Sequence, residues 1–382
     1  MSLVAPSNNS GIEIQEMNER VYNFSAGPAV LPLSVLEVAQ AELLSFSSAG
    51  ASVLEISHRS SHFQEILQTT KQQLARLLGI DDQYRILFLQ GGSRLQFSMV
   101  PMNLLQGSSR SAGYVLTGSW GRKARDEAER EGKVHVLWDG QSTGYDRLPT
   151  DDQLEFNDDS AYVHITSNET IEGVQFGSEP DTGEIPLVCD ASSDFLSRPL
   201  TINKYGLLYA CAQKNVGPAG VTLVVIREDI LQENQSSFSL PGYLNYREHI
   251  NNDSLYNTPP TFGIYLVGLI ANWILEEIGG LEKMAALNQE KAQLLYDVID
   301  QSEGFFHGHA TCESRSSMNV TFRLADTEVE KRFLEQAEGN GLCSLKGHRS
   351  VGGIRASIYN AMPREGVVSL RDFMWDFAQQ NG

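Results

Sequence analysis

Between about residues 80 and 226, short apolar runs alternate with polar stretches, and this alternation constrains the fold more than any other feature of the chain. Tyr84–Leu89 (YRILFL), Tyr114–Thr117, Val134–Trp138, Ala161–Thr166 (AYVHIT), Ile185–Cys189, Leu207–Cys211 and Val221–Ile226 have the length and the β-branched or aromatic content of strands. Intervening stretches such as Arg122–Gly132 (RKARDEAEREG), with Asp126 and Arg130 four apart, read as exposed helix. Strands that alternate with helices build a mainly parallel sheet covered on both faces. Leu207–Cys211 and Val221–Ile226 are joined by a short Gly/Pro loop, which also permits antiparallel pairing.

After about Thr261 the texture changes. Phe262–Ile278 and Leu281–Ile299 read as long helices separated by Gly279-Gly280. Strand-like Met318–Leu324, a helix near Thr327–Gln336, strand-like Ile354–Ile358 and a last helix near Gly366–Gln379 follow. With 382 residues, the chain exceeds one simple core. The expected organisation is a loose polar tail over 1–20, a large α/β domain over 21–265 and a smaller C-terminal α/β domain over 266–382.

The formal charge of −19 repels nucleic acid and acidic membranes, so neither is an expected partner. An anionic substrate would need positive charge concentrated locally. The four cysteines (Cys189, Cys211, Cys312, Cys343) form no C-x-x-C and no zinc spacing, which fits a reducing compartment. No apolar run approaches the roughly 18–20 residues of a membrane span, and no signal-peptide order is present. The expected setting is the cytoplasm.

Several unusual residues end these strands, on the edge where open α/β sheets bind ligands. Lys214 follows a buried-looking strand in ACAQKNVGPAG; a desolvated lysine has a lowered pKa and serves as nucleophile and base. Most lysines are solvated charges, so the position carries the inference. Asp190 ends Ile185–Cys189 and is either a turn residue or a carboxylate for a cofactor's pyridinium nitrogen. Gly91-Gly92-Ser93-Arg94 is a plain turn, or a phosphate cradle at a helix N-terminus. Trp120 is a core anchor or a plate for a flat ring. His307, His309 and Cys312 have a spacing that could suit a metal, but no fourth ligand is evident, and a solvated loop is the simpler reading; no metal is expected.

NFSAGPAVLP, EISHRS, QGGSRLQF, SNETIEG, AQKN, YNTPPTF and KGHRSVGGIRASIYNAMP, in this order, resemble the phosphoserine aminotransferases, class V, fold-type I pyridoxal-phosphate enzymes. The resemblance runs from about Val21 to the C-terminus. It implies that Lys214 is the Schiff-base lysine, Asp190 pairs the ring nitrogen, Trp120 stacks on the ring and Thr170 reaches its phenolic oxygen. Ser93, Arg94 and Gln213 would hold the cofactor phosphate, with Asn257 and Thr258 reaching it from a second subunit. A homodimer with shared active sites follows.

Arg355, in the strand-like GGIRASIYN, is either half of a structural ion pair or a clamp on the substrate α-carboxylate, a group that a guanidinium fits in bidentate fashion. The resemblance favours the clamp. It also places Arg59 (across the dimer), His348 and Arg349 around the substrate's distal anion. The implied reaction moves an amino group between L-glutamate and 3-phosphohydroxypyruvate, giving O-phospho-L-serine and 2-oxoglutarate in serine biosynthesis. It leaves open 3-hydroxy-2-oxo-4-phosphonooxybutanoate, of pyridoxine biosynthesis, as a second substrate. Two departures stand out: Ala26 replaces a serine found in some relatives, and Ser93 replaces a common glycine. The alternatives are another class V enzyme, a serine–glyoxylate-type aminotransferase or cysteine desulfurase, and a binding protein that has lost chemistry.

Overall fold

The inner strands of the large sheet are apolar on both faces, so they are stable only when covered by helices on either side, whereas the edge strand Lys133–Asp139 is partly exposed. The computed structural model describes residues 20–157, 159–232 and 234–382; the tail expected before Arg20 lies outside them. The strands run in chain order as β1 (Tyr22–Asn23), β2 (Tyr84–Leu89), β3 (Ser111–Leu116), β4 (Lys133–Asp139), β5 (Ser160–Thr166), β6 (Asn168–Glu169), β7 (Val174–Gln175), β8 (Leu187–Asp190), β9 (Tyr205–Cys211), β10 (Thr222–Arg227), β11 (Phe306–Gly308), β12 (Asn319–Leu324), β13 (Leu342–Cys343) and β14 (Ile354–Ser357). The helices that position the site are α1 (Leu33–Glu42), α2 (Ser61–Leu78), α3 (Gly92–Leu104), α4 (Ser119–Ala128) and the single turn α5 (Ala212–Asn215). They are followed by α6 (Tyr246–Asn251), α7 (Thr261–Asn272), α8 (Leu281–Gln301), α9 (Thr327–Gly339) and α10 (Arg364–Asn381).

The large sheet has seven strands in the order β2-β10-β9-β8-β5-β3-β4. The pairs β9/β8, β8/β5, β5/β3 and β3/β4 are parallel. β10 is antiparallel to both β9 and β2, which realises the pairing that the Gly/Pro loop permitted. Thr222, at the start of β10, therefore lies opposite both Leu89 and Cys211. The carboxyl ends of β2, β3, β5, β8 and β9 gather on one edge, and the chain leaves that edge at residues 91–94, 117–120, 167–170, 190–192 and 212–214.

Three details differ from the sequence expectation. The strand expected from Ile185 begins at Leu187, because Pro186 has no N–H to give to a ladder; Asp190 is its last residue. The helix expected over Phe262–Ile278 is α-helical only to Asn272 and continues as a π-helix over Trp273–Ile278. Third, contrary to the expectation that no apolar run approaches a membrane span, Thr261–Ile278 is by length and composition apolar enough to cross one. Ile264, Tyr265, Leu266, Val267 and Ile270 are nonetheless packed in the protein core, against a cluster that includes Phe63, Leu67 and Leu74 of α2.

A second core collects Leu295 and Ile299 of α8, Val320 and Phe322 of β12, Phe333 of α9 and Leu370, Met374 and Phe377 of α10. Phe24 joins it from the start of the chain, and β1 pairs in parallel with β13. The N-terminal segment thus reaches the C-terminal core before it passes Lys214. A cage of four backbone carbonyls surrounds the buried Lys291 ammonium at 2.8–3.3 Å, from Ile358, Tyr359, Asn360 and Met362, and pins the segment between β14 and α10.

Candidate active site

Lys214 lies in the single turn after β9, half-buried, and its Nζ donates to Thr170 Oγ1 at 2.7 Å. Burial lowers its pKa, and the negative charge of Asp190 opposes that fall. Asp190 is fully enclosed; burial raises its pKa, while Lys214 and two hydrogen bonds from Ser192 hold it down. The Lys214 ammonium sits 5.5 Å from the centre of the Trp120 ring. The N-terminal loop crosses above the lysine: Ala29 N donates to Gln213 O, and Tyr359 Oη donates to Ala26 O. A Cβ at Gly27, where φ is +145°, would lie 3.4 Å from Lys214 Cγ, so glycine lets this loop cross closely.

Trp120 is fixed by its backbone. The β6–β7 hairpin carries Glu169 and Glu172 to the N-terminus of α4, where helix N–H groups lack partners and favour negative charge. Glu169 accepts from Trp120 N at 3.0 Å and Gly121 N at 2.8 Å. Glu172 Oε1 accepts from Ser119 N at 2.9 Å and Ser119 Oγ at 2.7 Å. A side chain at Gly118 would meet these carboxyl groups, since its Cβ would fall 2.6 Å from Glu169 Cδ and 2.7 Å from Glu172 Oε2. Burial, followed by the charge of Glu172, pushes the Glu169 carboxyl well above the usual range.

The glycine-rich turn after β2 opens α3 as expected, but its amides are partly engaged. Gly92 N donates to Thr222 Oγ1 at 2.8 Å and Ser93 N to Cys211 Sγ at 3.0 Å. Arg94 N is the remaining first-turn amide and takes no backbone or side-chain acceptor from the described residues. The Arg94 guanidinium is exposed, 6.0 Å from the Phe97 ring centre. Gln213 is half-buried beside Lys214.

A cavity of about 240 Å³ is lined by Ser119 and Ile171, the chain neighbours of Trp120 and Thr170, and by Arg122, Tyr145, Glu172, Arg323, His348 and Arg355, among others, but not by Lys214, Asp190 or Trp120 themselves. Arg355 is half-buried, and its Nη1 approaches Thr170 O at 3.5 Å. His348 lies at the rim with its pKa lowered, first by burial and then by the positive charges of Arg355, Lys123 and Arg349. The cavity therefore gathers cations on a protein of net charge −19.

Some expected residues are not brought to Lys214 within one chain. Arg59 is exposed on the loop before α2, and its own N–H donates to Ser57 Oγ. Asn257 and Thr258 lie in the loop before α7, where Asn257 Nδ2 donates to Gln90 Oε1 at 3.2 Å. Arg349 is exposed and does not line the cavity. Among the described residues, no group of three or more His, Cys, Asp or Glu could hold a metal; His309 Nε2 instead lies 3.1 Å from Gly144 O. Sequence reasoning missed Glu169, Glu172, Ser192 and Cys211. The signal available for the first two was a pair of acids flanking Thr170 in SNETIEG.

Comparison with known proteins bears on the family and the fold. The family described as aminotransferase class V matches residues 21–370. A phosphoserine aminotransferase of Rhodopirellula baltica is 55% identical over 364 residues, covering 95% of this chain and 96% of that protein. The solved phosphoserine aminotransferase from Bacillus circulans subsp. alkalophilus matches with TM-score 0.92 at 50% identity, covering 96% of this chain and 100% of that one. A pyridoxal-phosphate-bound phosphoserine aminotransferase from Trichomonas vaginalis matches with TM-score 0.87 at 40% identity, over 93% of this chain and 100% of that one. The chain belongs to the class V aminotransferases, which depend on pyridoxal phosphate, and within them to the phosphoserine aminotransferases.

Proposed function

We propose that this protein transfers the amino group between L-glutamate and 3-phosphohydroxypyruvate, producing O-phospho-L-serine and 2-oxoglutarate, with Lys214 as the central catalytic group. The observation that carries this reading is the Lys214 amine set against Thr170, Asp190 and the Trp120 ring, beside a cavity lined by His348 and Arg355.

Pyridoxal phosphate fits these residues. Asp190 Oδ1 is taken by Ser192, while Oδ2 accepts nothing from the described residues and is available to a ring nitrogen. Arg94 N, at the helix N-terminus, suits the phosphate, with Gln213 as the second group to hold it; the amide and hydroxyl of Ser93 are already engaged with Cys211 and Ser192 and offer the phosphate no free donor. When bound, the cofactor supplies an electron sink for the charge released at the substrate α-carbon. Lys214 binds the cofactor and, when released, carries the α-proton as base and then acid; its lowered pKa suits both duties. Asp190 holds the proton on the ring nitrogen. Trp120 supplies the flat face, and Thr170 directs a hydroxyl at the ring oxygen.

Arg355 orients the α-carboxylate. His348 and Arg349, with Arg59 from a partner subunit, receive the phosphate or the side-chain carboxylate of glutamate. The exposed positions of Arg59, Asn257 and Thr258 support a homodimer in which each chain completes the other's site. Cytoplasmic location and use of 3-hydroxy-2-oxo-4-phosphonooxybutanoate belong to the same proposal.

The test is the visible spectrum of the purified protein loaded with pyridoxal phosphate, before and after adding L-phosphoserine. Conversion of the yellow band to the pyridoxamine form with phosphoserine, and far less with serine, is expected. A band that phosphoserine leaves unchanged would refute the substrate.

A further inference from the structure

Behind the cofactor-facing residues is a closed set of hydrogen bonds whose proton directions can be assigned by elimination. Ser192 Oγ lies 2.5 Å from Asp190 Oδ1, and Ser192 N donates to the same oxygen at 3.0 Å. A carboxylate oxygen accepts both, so the Ser192 proton points at Asp190. Cys211 N donates to Ser192 Oγ at 3.1 Å and fills one of its lone pairs. Ser93 Oγ is 2.6 Å from Ser192 Oγ. Ser192 has no proton left, so Ser93 is the donor. The Ser93 proton is then spent, and the contact from Cys211 Sγ to Ser93 Oγ at 2.8 Å requires the thiol to donate. Ser93 N returns a hydrogen bond to the same sulfur at 3.0 Å.

The result is one directed chain, Cys211 to Ser93 to Ser192 to Asp190, in which each dipole points toward the carboxylate. Ser93 is 8% exposed, Ser192 3%, Cys211 6% and Asp190 4%, so little water competes. Aligned donors in a dry setting polarise one another and favour the charged acceptor. The chain spans three strand ends: β2 through the turn to α3, β8 and β9. It exists because antiparallel β10 holds the ends of β2 and β9 on either side of Thr222.

We propose that Ser93 and Cys211 are positioning residues for Asp190, acting through Ser192 to fix its Oδ1 and leave Oδ2 for the cofactor's ring nitrogen. This rests on the reading of Asp190 given above. It also gives a function to Ser93, a position where a glycine could not supply the hydroxyl link. The other titratable groups that face Asp190 are Lys214, Glu169, Asp194, Cys189 and Tyr209, the last bonded to His164. None of them touches the Ser192 hydroxyl, so the relay can be altered without removing them.

The test measures the dissociation constant of pyridoxal phosphate by equilibrium dialysis on the cofactor-stripped full chain. The variants are Ser93→Ala, Cys211→Ala and Cys211→Ser. Loss of one link should raise the constant about threefold to tenfold in Ser93→Ala and Cys211→Ala. Cys211→Ser keeps a donor at the same place and should stay within about twofold of the parent. A purely packing role predicts the reverse for serine, which loses the sulfur volume just as alanine does.

Unchanged affinity in both alanine variants would overturn the proposal while leaving the Lys214 assignment intact, as would Cys211→Ser failing as badly as Cys211→Ala. A parent protein that binds no pyridoxal phosphate would overturn both readings together. If Ser93→Ala does not fold, the Cys211 pair decides the matter alone.

Discussion

Lys214 Nζ donates to Thr170 Oγ1 at 2.7 Å, joining the turn after β9 to the β6–β7 hairpin across the mouth of the site. The hydroxyl holds the amine in position while burial keeps its pKa low. Lys214→Ala should bind cofactor without turning over, with activity reduced about a thousandfold or more. Thr170→Val should keep measurable turnover and weaken cofactor binding by a few fold. Steady-state rates and cofactor titration check both; substantial activity in Lys214→Ala would end the assignment.

Arg355 presents a half-buried guanidinium whose pKa burial lowers and whose Nε has no partner among the described residues. An arginine held in this way, lining a cavity, is suited to an incoming carboxylate. Arg355→Lys should lower kcat/KM about tenfold to a hundredfold for glutamate and phosphoserine alike, because both carry the α-carboxylate. A loss confined to one of the two would contradict an α-carboxylate role.

Arg349 lies exposed at the edge of the cation cluster. If it receives the substrate phosphate, Arg349→Ala should weaken phosphoserine about tenfold and serine little. Equal losses for the two amino acids, measured by single-turnover spectra, would remove that role.

Glu169 uses both carboxyl oxygens on the backbone of α4. In Glu169→Gln one amide oxygen can still accept, but the –NH2 would face a second N–H. The cost should be about 1–3 kcal/mol of stability, and the Trp120 ring should lose its fixed position. Thermal unfolding and the fluorescence change on cofactor binding measure the two effects. A variant as stable as the parent would show that the helix start is held by Glu172 alone.

Lys291 gives a pH prediction. Burial lowers its amine to about 7, against about 10.4 in an unfolded chain. Between those values the unfolded chain binds the extra proton, so the stability contributed at this site rises with pH. Lys291→Met should cost about 2–4 kcal/mol, since four carbonyls lose their donor. The parent's advantage over the variant should grow from pH 7 to pH 10 in urea unfolding. A constant difference would show that the ammonium keeps its proton throughout.

Much of the scaffold was legible because strand and helix periodicity are local. The run YRILFL is a strand almost anywhere it is buried, and α8 carries its own apolar stripe. The errors fell where backbone chemistry intervened. Pro186 delayed β8, and the winding of Trp273–Ile278 left no trace in the hydropathy pattern.

The sequence by itself determined the chemical inventory: a lysine, an aspartate and a tryptophan, each at the end of an apolar run, and basic residues kept near the C-terminal segment of an acidic chain. Only the tertiary structure decided how that inventory is held. Glu169 lies 49 positions from the Trp120 amide it receives, and Ser93 lies 118 from Cys211. Such pairs meet because parallel strands carry their carboxyl ends to one edge and because β10 runs against its neighbours. Hydrogen bonds across that edge depend on angstrom-scale placement of strands far apart in the chain, whereas the hydrophobic alternation within one strand decides only which face each side chain takes.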